Sequence, residues 1–268
     1  MKRILTIAGS DSGGGAGIQA DIKTMSALGC YASSVVTAVT AQNTLGVTAV
    51  EPLSTDIIEK QIRAVLDDIG ADAVKIGMLA TAEIVELVAR LMKEYEPPFI
   101  VVDPVLTATS GDVLTEGSAT EAIVTRLMPL ATVLTPNIPE AETLTDLTIE
   151  STMDYRPVWN NLRGQGARAL LIKGGHLSND ELTDTLFTTK EQLPHIYTHE
   201  RIETKNTHGT GCTLSSAIAC YLALGHTLSR AVGHATDFIH QAIEAGQDLH
   251  IGEGHGPVDH FFRYRDNR

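Results

Sequence analysis

The sequence predicts an α/β protein with a mostly parallel central sheet covered by helices on both faces. Short apolar runs alternate along the chain with longer segments in which apolar residues recur every three or four positions, as strands and helices in alternation require. Aromatic residues make up only 4% of the 268 residues, so Ala, Val, Ile and Leu must build most of the core, which suits a buried parallel sheet. We see no repeat and no Pro- or Ser-rich linker, so we expect residues 1–268 to form a single domain.

The chain begins with a strand, a glycine-rich loop and a helix. Ile4–Ala8 reads as a buried strand, Gly9–Gly17 carries five glycines in nine residues, and Ile18–Leu28 shows helical spacing before Gly29. Such a loop is a ligand-binding geometry in open α/β folds. Neither the dinucleotide fingerprint G-x-G-x-x-G nor the P-loop pattern fits the glycine spacing, which makes a dinucleotide oxidoreductase a weak alternative.

The remaining elements follow in alternation. Tyr31–Ala41 and Val47–Leu53 are β-prone and predict an excursion that forms an edge or a lid. The further predicted strands are Ala73–Met78, Phe99–Val102, Val133–Thr135 and Leu170–Lys173, with Asp184–Thr189 and His195–Ile202 as antiparallel additions. The further predicted helices carry Ile58–Ile69, Ile84–Met92, Ala119–Met128, Glu140–Leu144, Tyr155–Arg163, Leu214–Leu222 and Val232–Ala242.

Charge and cysteine usage limit the partners and the compartment. A net charge of −13 argues against nucleic acid or an anionic membrane as a partner. The three cysteines have no paired spacing, which indicates a reducing compartment. The basic and then apolar start of the chain gives way to glycines at Gly9, too early for a signal peptide. No apolar run approaches bilayer length, so we expect a cytoplasmic protein.

Polar residues follow the predicted strands at one edge of the sheet, where open α/β folds bind ligands. Asp103, Asn137 and Glu140 offer oxygen ligands of the kind that Mg²⁺ prefers, and Lys173 offers a point charge for a phosphate. Each residue has a simpler explanation: Asp103 as a cap, Glu140 as a solvated acid, Lys173 as a surface lysine. Their convergence at one edge favours a phosphate site.

Gly209-Thr210-Gly211-Cys212 begins a helix in the last third of the chain. The first turn of a helix has unpaired N–H groups and the positive end of a dipole, so it forms an anion site and lowers the pKa of a thiol placed there. A cysteine alone is more often a small buried apolar residue. After two glycines, however, Cys212 becomes a candidate to deprotonate or orient an alcohol during phosphoryl transfer.

The motifs together resemble the hydroxymethylpyrimidine/phosphomethylpyrimidine kinases of the ribokinase-like superfamily, over nearly the whole chain. The residues that carry the resemblance are Gly9–Asp11, Gly14–Asp21, Thr40–Thr44, Lys75–Met78, Asp103–Val105, Thr109–Gly111, Thr135–Asn137, Glu140, Lys173–His176, Asn206–Cys212 and Gly252–Phe261. The resemblance implies a three-layer α/β/α sandwich with small β-lid or edge elements, usually a homodimer. It also implies an enzyme of thiamin biosynthesis that uses ATP and Mg²⁺ to phosphorylate 4-amino-5-hydroxymethyl-2-methylpyrimidine and then its monophosphate.

The resemblance also implies roles for particular residues, which are grouped here by role. Implied substrate contacts are Gln42, Gly9, Asp21 and Met78; nucleotide contacts are Lys173, Asn137 and Thr207; Mg²⁺ residues are Asp103 and Glu140; and the catalytic loop is Gly209, Thr210, Gly211 and Cys212. One departure is Thr236, which stands where many members have a lysine. Pyridoxal kinases share the Gly-Thr-Gly-Cys loop, so a pyridoxal kinase, or a non-catalytic pyrimidine- or nucleotide-binding protein, remains an alternative.

Overall fold

The structure is a computed structural model that describes residues 1–108, 111–112, 114–115, 117–175 and 181–265. Three residues of the motifs above, Thr109, Ser110 and His176, lie outside the described residues.

A central sheet of nine strands organises the described chain. The strands are β1 (Arg3–Asp11), β2 (Tyr31–Asn43), β3 (Gly46–Pro52), β4 (Ala73–Ile76), β5 (Ile100–Val102), β6 (Val133–Leu134), β7 (Ala169–Ile172), β8 (Glu181–Thr188) and β9 (His195–Glu200). Their order is β3-β2-β1-β4-β5-β6-β7-β8-β9. Strands β2, β1 and β4–β7 pair in parallel, whereas β3, β8 and β9 pair antiparallel at the two edges. The prediction of a mostly parallel sheet with antiparallel additions is confirmed.

Eight α-helices connect and cover the strands in the described ranges. They are α1 (Gly17–Ala27), α2 (Thr55–Asp68), α3 (Ala82–Tyr95), α4 (Gly117–Ala122), α5 (Ile138–Thr145), α6 (Tyr155–Gly164), α7 (Thr210–Ala223) and α8 (Leu228–Gly246). A five-residue π-helix, Ile123–Leu127, and a 3₁₀ turn, Met128–Leu130, continue α4. Within the described ranges, no helix combines the length and apolarity needed to span a membrane.

Two apolar cores lie on opposite faces of the sheet, as alternating side chains along each strand require. In β1, Leu5 and Ile7 belong to the core under α2–α6, while Ile4 belongs to the core under α1, α7 and α8. The architecture is therefore the expected three-layer sandwich.

The ends of the helices follow from local chemistry. Ser54 and Thr81 cap α2 and α3 by accepting hydrogen bonds from backbone N–H groups three residues later. The prediction of one continuous helix to Met128 is wrong in detail, because the Met128 N–H bonds to Ile123 O, five residues back. Pro129 follows at once, and it has no N–H with which to continue the helix.

The β2 strand was predicted as part of an excursion, and the structure corrects this in part. Its residues from Tyr31 onward pair in parallel with β1, so β2 belongs to the main sheet. Only its last residues, from Ala38 to Asn43, pair antiparallel with β3 at the edge. From β1 the chain first adds β2 on one side of β1 and then β4 on its other side, so the strand order changes direction at β1. Open α/β sheets bind ligands at such a position.

Candidate active site

One cavity of about 650 Å³ opens at the carboxyl ends of the parallel strands. The cavity joins most of the predicted site residues. Those that line it are Gly9, Gln42, Met78, Asp103, Asn137, Glu140, Lys173, Thr207, Gly209, Thr210, Gly211 and Cys212. This grouping follows from topology, because the carboxyl ends of parallel strands share one edge and α7 begins beside that edge.

Asp103, Lys173 and Glu140 form an ionic cluster on one side of the cavity. Asp103 follows β5 and is only 1% exposed. Lys173 Nζ donates to Asp103 Oδ1 at 2.8 Å and lies 3.7 Å from Glu140 Oε2. The hydroxyl of Thr135 also donates to Asp103 Oδ1, at 3.0 Å. The lysine therefore lies between two carboxylates, and it keeps 15% of its side chain exposed to the cavity.

The two carboxyl groups of this cluster titrate in opposite directions. Burial alone raises the pKa of Asp103, but the charges of Lys173 and Lys75 hold that pKa below its ordinary value. Burial raises the pKa of Glu140 to about 7, and the charge of Asp103 adds to this although Lys173 opposes it. Burial lowers the pKa of Lys173, but Asp103 and Glu140 outweigh it and the pKa is raised. Near pH 7, Asp103 is therefore a carboxylate and Lys173 an ammonium group, whereas Glu140 is close to the midpoint of its titration.

Glu140 is held by the first turn of α5. Asn137 Oδ1 accepts from the Glu140 N–H at 2.8 Å, and Glu140 Oε2 accepts from the Asn137 N–H at 2.7 Å, which is a reciprocal capping box. Asn137 also forms a parallel bridge with Lys173. The cap therefore fixes both the cavity residue Asn137 and the carboxyl group three residues after it.

The start of α7 is shaped by Gly209. Its φ of +83° lies in the left-handed region, and a Cβ there would lie 1.8 Å from the carbonyl oxygen of Gly15. Only glycine fits both conditions. Two residues later, a Cβ on Gly211 would lie 3.2 Å from Lys173 Nζ, so the first turn of α7 approaches the ionic cluster. The N–H groups of this turn and the ammonium group together form an anion-binding arrangement.

The expectation of a lowered thiol pKa at this helix start is wrong for Cys212. Burial raises the pKa of Cys212 to about 11. Lys75 and the N–H of Gly17 oppose the rise, whereas the charges of Asp21 and Asp103 add to it. Desolvation by burial is the largest cause, and the two carboxylates that face the same thiol add to it. In the described state Cys212 is a neutral thiol at pH 7.

Asp21, whose implied role is a substrate contact, is not among the residues that line the cavity. Its side chain is 0% exposed. Lys75 Nζ donates to both of its oxygens at 2.9 Å, and the hydroxyls of Thr6 and Ser216 donate at 2.6 and 2.8 Å. Lys75 is also fully buried. Burial alone would lower the pKa of Lys75, but the charge of Asp21 keeps that pKa raised. The pair is a buried support beside Cys212.

The other side of the cavity combines apolar and amide groups. A Cβ on Gly9 would lie 3.0 Å from Met78 Sδ, so the absence of a side chain at Gly9 lets Met78 pack against β1. Gln42 presents its amide beside Thr40, whose hydroxyl lies 3.1 Å from Gln42 Oε1. An apolar wall with an amide at its edge suits a small heteroaromatic ring.

Asp11 and His208 line this same side, and sequence reasoning gave neither a role. Asp11 Oδ2 lies 2.9 Å from His208 Nε2. The sequence marks each position separately, since Asp11 follows the first predicted strand and His208 directly precedes Gly209. Nothing in the sequence joins them, because they are 197 residues apart.

The far end of the cavity was also missed. Leu182, Ile202, His240 and Ile243 line it, and they come from β8, from the segment after β9 and from α8. His240 stacks on His199 with ring centroids 4.8 Å apart. Thr236, one turn before His240, is buried and donates its hydroxyl to Gly233 O at 2.8 Å.

Comparisons with known proteins find similar sequences over nearly the whole chain. A family model described as Phosphomethylpyrimidine kinase matches residues 11–259. The hydroxymethylpyrimidine/phosphomethylpyrimidine kinase of Rhizobium meliloti (strain 1021) is 50% identical over 265 residues, which cover 97% of this chain and 97% of that protein.

Two solved structures show the same fold. The phosphomethylpyrimidine kinase of Clostridium difficile 630 matches with a TM-score of 0.80 and 46% identity, over 91% of this chain and 100% of that one. The pyridoxal kinase of Staphylococcus aureus in complex with ADP matches with a TM-score of 0.91 and 36% identity, over 99% of this chain and 96% of that one.

Proposed function

The chain belongs to the phosphomethylpyrimidine kinase family, and we propose that it transfers a phosphoryl group from ATP to 4-amino-5-hydroxymethyl-2-methylpyrimidine and then to the monophosphate, in thiamin biosynthesis. One observation carries this function: a single cavity joins an amide-edged apolar wall to an ionic cluster across the start of α7. Phosphoryl transfer needs positioning and charge stabilisation more than covalent chemistry, and this cavity offers both.

The alcohol occupies the side of the cavity that Gly9, Gln42 and Met78 line. The Gln42 amide can donate and accept hydrogen bonds, so it matches an amino group beside a ring nitrogen. The apolar wall covers the ring faces, and the hydroxymethyl group then points toward Cys212. The buried Asp21 takes no part in contacting the substrate and supports the floor instead.

The nucleotide phosphates occupy the opposite side. Lys173 neutralises their charge, and Asn137 and Thr207 contact them from the cavity wall. The N–H groups of Gly209 and Gly211 receive the transferring group, whereas the N–H of Thr210 already donates to Thr207 O at 3.2 Å. The ADP complex of the Staphylococcus aureus pyridoxal kinase supports nucleotide binding in this fold.

Asp103 and Glu140 are the groups that would hold Mg²⁺ with the nucleotide. Among the described residues, no cluster of three or more His, Cys, Asp or Glu could hold a metal ion. Two carboxyl groups beside a phosphate site fit Mg²⁺ nevertheless, because this ion is commonly bound by one or two carboxylates together with substrate phosphates. A bound Mg²⁺ supplies neutralisation of phosphate charge. Asp103 is ready to bind a cation at neutral pH, whereas Glu140 must first lose its proton.

Product analysis tests the function directly. Purified protein with Mg²⁺, ATP and the hydroxymethylpyrimidine is expected to give the monophosphate and then the diphosphate, separated by anion-exchange chromatography. A reaction without ATP is the control. If neither product forms, the proposal is wrong.

Pyridoxal is a second candidate substrate, which the likeness to the Staphylococcus aureus pyridoxal kinase supports. Pyridoxal and the pyrimidine are both small aromatic rings with a hydroxymethyl group, so they can share the apolar wall. The ratio of their kcat/KM values decides between them, and we expect it to favour the pyrimidine.

We further propose that the chain is one kinase domain, supported by the continuous nine-stranded sheet, and that it acts as a homodimer. Light scattering on the purified protein tests the oligomeric state: a mass near twice 28.7 kDa supports the dimer, and a mass near 28.7 kDa refutes it.

A further inference from the structure

Helix α7 begins at the proposed anion site and is then buried on every side. Its residues 213–220 are all buried, and most of them have small side chains. A helix at a protein surface is oriented by its single apolar face, whereas a helix buried all round has no such face. The sequence pattern of α7 therefore does not select one rotation about its axis, and directional hydrogen bonds do.

One such bond joins α7 to α1. The hydroxyl of Ser216 donates to Asp21 Oδ1 at 2.8 Å, and both side chains are fully buried. Thr6 on β1 donates to the other oxygen of Asp21 at 2.6 Å, and Lys75 on β4 donates to both oxygens at 2.9 Å. Two strands of the sheet thus hold the carboxylate in place. Ser216 therefore bonds to a fixed, charged acceptor, and a hydrogen bond of this kind is stronger than one between neutral groups.

The Cys212 thiol lies one helical turn from this bond. Cys212 precedes Ser216 by four residues on α7, and Gly17 precedes Asp21 by four residues on α1. Residues four apart lie on the same face of a helix. Gly17 and Cys212 both line the cavity, and the N–H of Gly17 donates to the sulfur of Cys212. The two helices therefore meet at the cavity through the thiol, and one turn deeper through Ser216.

The neighbouring hydroxyls of α7 make different contacts. Ser215 Oγ lies closest to an acceptor of its own helix, Gly211 O at 2.9 Å, and farther from Asp103 Oδ2 at 3.3 Å. Thr213 bonds a histidine of the C-terminal segment at 3.0 Å. Ser216, by contrast, connects α7 to the helix whose first turn faces the thiol.

We propose that Ser216 is a positioning residue that, through Asp21, fixes the rotation of α7 and so directs the Cys212 thiol toward the hydroxymethyl group of the alcohol. The inference rests on the function proposed above and deepens it, because it gives the buried pair of Asp21 and Lys75 a part in the reaction.

The substitution Ser216→Ala tests this role. It removes the bond between the helices and leaves Asp21 paired with Lys75 and Thr6, so no charge loses its partner. A misplacement of about 1 Å can cost about 10²-fold in rate, so we expect kcat to fall at least about tenfold. The KM for ATP should stay within about twofold, because Lys173 keeps its own contacts.

Thr24→Val is the matched control. Thr24 is a fully buried residue of α1, and its hydroxyl donates only to Ala20 O of its own helix, at 2.8 Å. The substitution therefore removes a buried hydroxyl without loosening α7, and kcat should stay within about twofold of the wild type. Denaturant unfolding of both variants checks that they are folded.

A double-mutant cycle separates positioning of the thiol from general damage. In a Cys212→Ala background, Ser216→Ala should change kcat less than about twofold, because the side chain that it positions is gone.

Alkylation by iodoacetamide gives a readout that does not depend on activity. Cys30 and Cys220 are buried in the core, whereas Cys212 lines the cavity, so its modification can be followed by mass spectrometry of the peptide that contains it. A thiol that is held less firmly is exposed more often, so Cys212 should react at least about threefold faster in Ser216→Ala than in the wild type or in Thr24→Val.

A kcat of Ser216→Ala equal to the wild-type value would overturn the inference. So would an equal loss in the Cys212→Ala background, or an unchanged alkylation rate. Wild-type protein that forms no pyrimidine phosphate at all would instead refute the proposed function, while the alkylation rates would still test the contact between Ser216 and Asp21. The two failures are therefore distinguishable.

Discussion

Replacing Cys212 by alanine tests whether a thiol at this position acts as a base. A general base contributes about 10²–10⁴-fold to a rate, so we expect kcat to fall by that factor. The KM for ATP should stay within about twofold, because the ionic cluster around Lys173 remains intact. Cys220→Ala is the matched control, since Cys220 lies on the same helix but is fully buried in the core.

The pH profile of the wild-type enzyme gives the sharper measurement. With a pKa of about 11, only about one Cys212 in 10⁴ is a thiolate at pH 7. If the thiolate is the base, kcat at saturating substrates rises about tenfold per pH unit between pH 7 and 10. The sign follows from the raised pKa, because the active form is the deprotonated one. Cys212→Ala should give a nearly flat profile over the same range.

Initial rates of ADP release in a coupled assay, with both substrates saturating, give these profiles. A Cys212→Ala enzyme with kcat within threefold of the wild type would refute the base role. So would a flat wild-type profile combined with a large loss in the variant, which would mean that the thiol only positions the alcohol. In either case Mg²⁺ and the N–H groups of α7 would supply the catalysis.

Three further changes test the surroundings. Asp21→Asn leaves Lys75 buried and unpaired, so denaturant unfolding should show that the free energy of unfolding falls by about 3–5 kcal/mol, with KM for the alcohol unchanged. The exposed Asp56→Asn is the control and should cost less than about 1 kcal/mol. A raised KM in Asp21→Asn would restore the substrate role. Glu140, with a pKa of about 7, ionises between pH 6 and 8. Over this range the Mg·ATP affinity, measured by calorimetry, should therefore rise about tenfold more in the wild type than in Glu140→Gln. An equal rise of affinity with pH in both proteins would contradict the role of Glu140. Gly209→Ala should lower kcat at least about 10²-fold, because the new Cβ would meet the Gly15 carbonyl oxygen. Gly225→Ala is the control: its φ is +97° but the space around it is open, so it should cost only roughly 1–2 kcal/mol of stability and leave kcat unchanged. Similar kcat values for the two variants would refute the packing argument.

The sequence predicted the strand-end residues well for a geometric reason. Asp103, Asn137 and Lys173 each follow a short apolar run, and parallel strands end at one edge whatever their order. The expectation that they meet therefore needed no knowledge of the strand order. Their ionic contacts did need it, because Lys173 reaches Asp103 across 70 residues of chain.

The burial of Cys212 could not be predicted from the sequence. The position at a helix start is visible in the Gly-Thr-Gly pattern, and by itself it lowers a thiol pKa. The opposing desolvation depends on tertiary packing, as does the approach of Asp21 and Asp103. The sign of the shift was therefore wrong although the place of the residue was right.

Asp21 shows the same limit from another direction. Lys75 stands within a run of apolar residues, and a lysine in a buried strand requires a charged partner. That requirement was readable from the sequence, but the identity of the partner, 54 residues away on α1, was not. The substrate role of Asp21 is implied by the family resemblance alone, which carries no information about its burial.

The loop before α7 joins the two sides of the cavity that we propose for the alcohol and the nucleotide. His208 faces Asp11 and Gln42, whereas Gly211, three residues later, approaches Lys173. Gly209, whose φ of +83° lies in the left-handed region, stands between these two contacts. One short segment therefore contacts both proposed sides of the cavity, and Cys212 follows it directly. The same reason makes Gly209 the residue whose substitution disturbs both ends of the cavity, while a change at His208 or at Lys173 disturbs one.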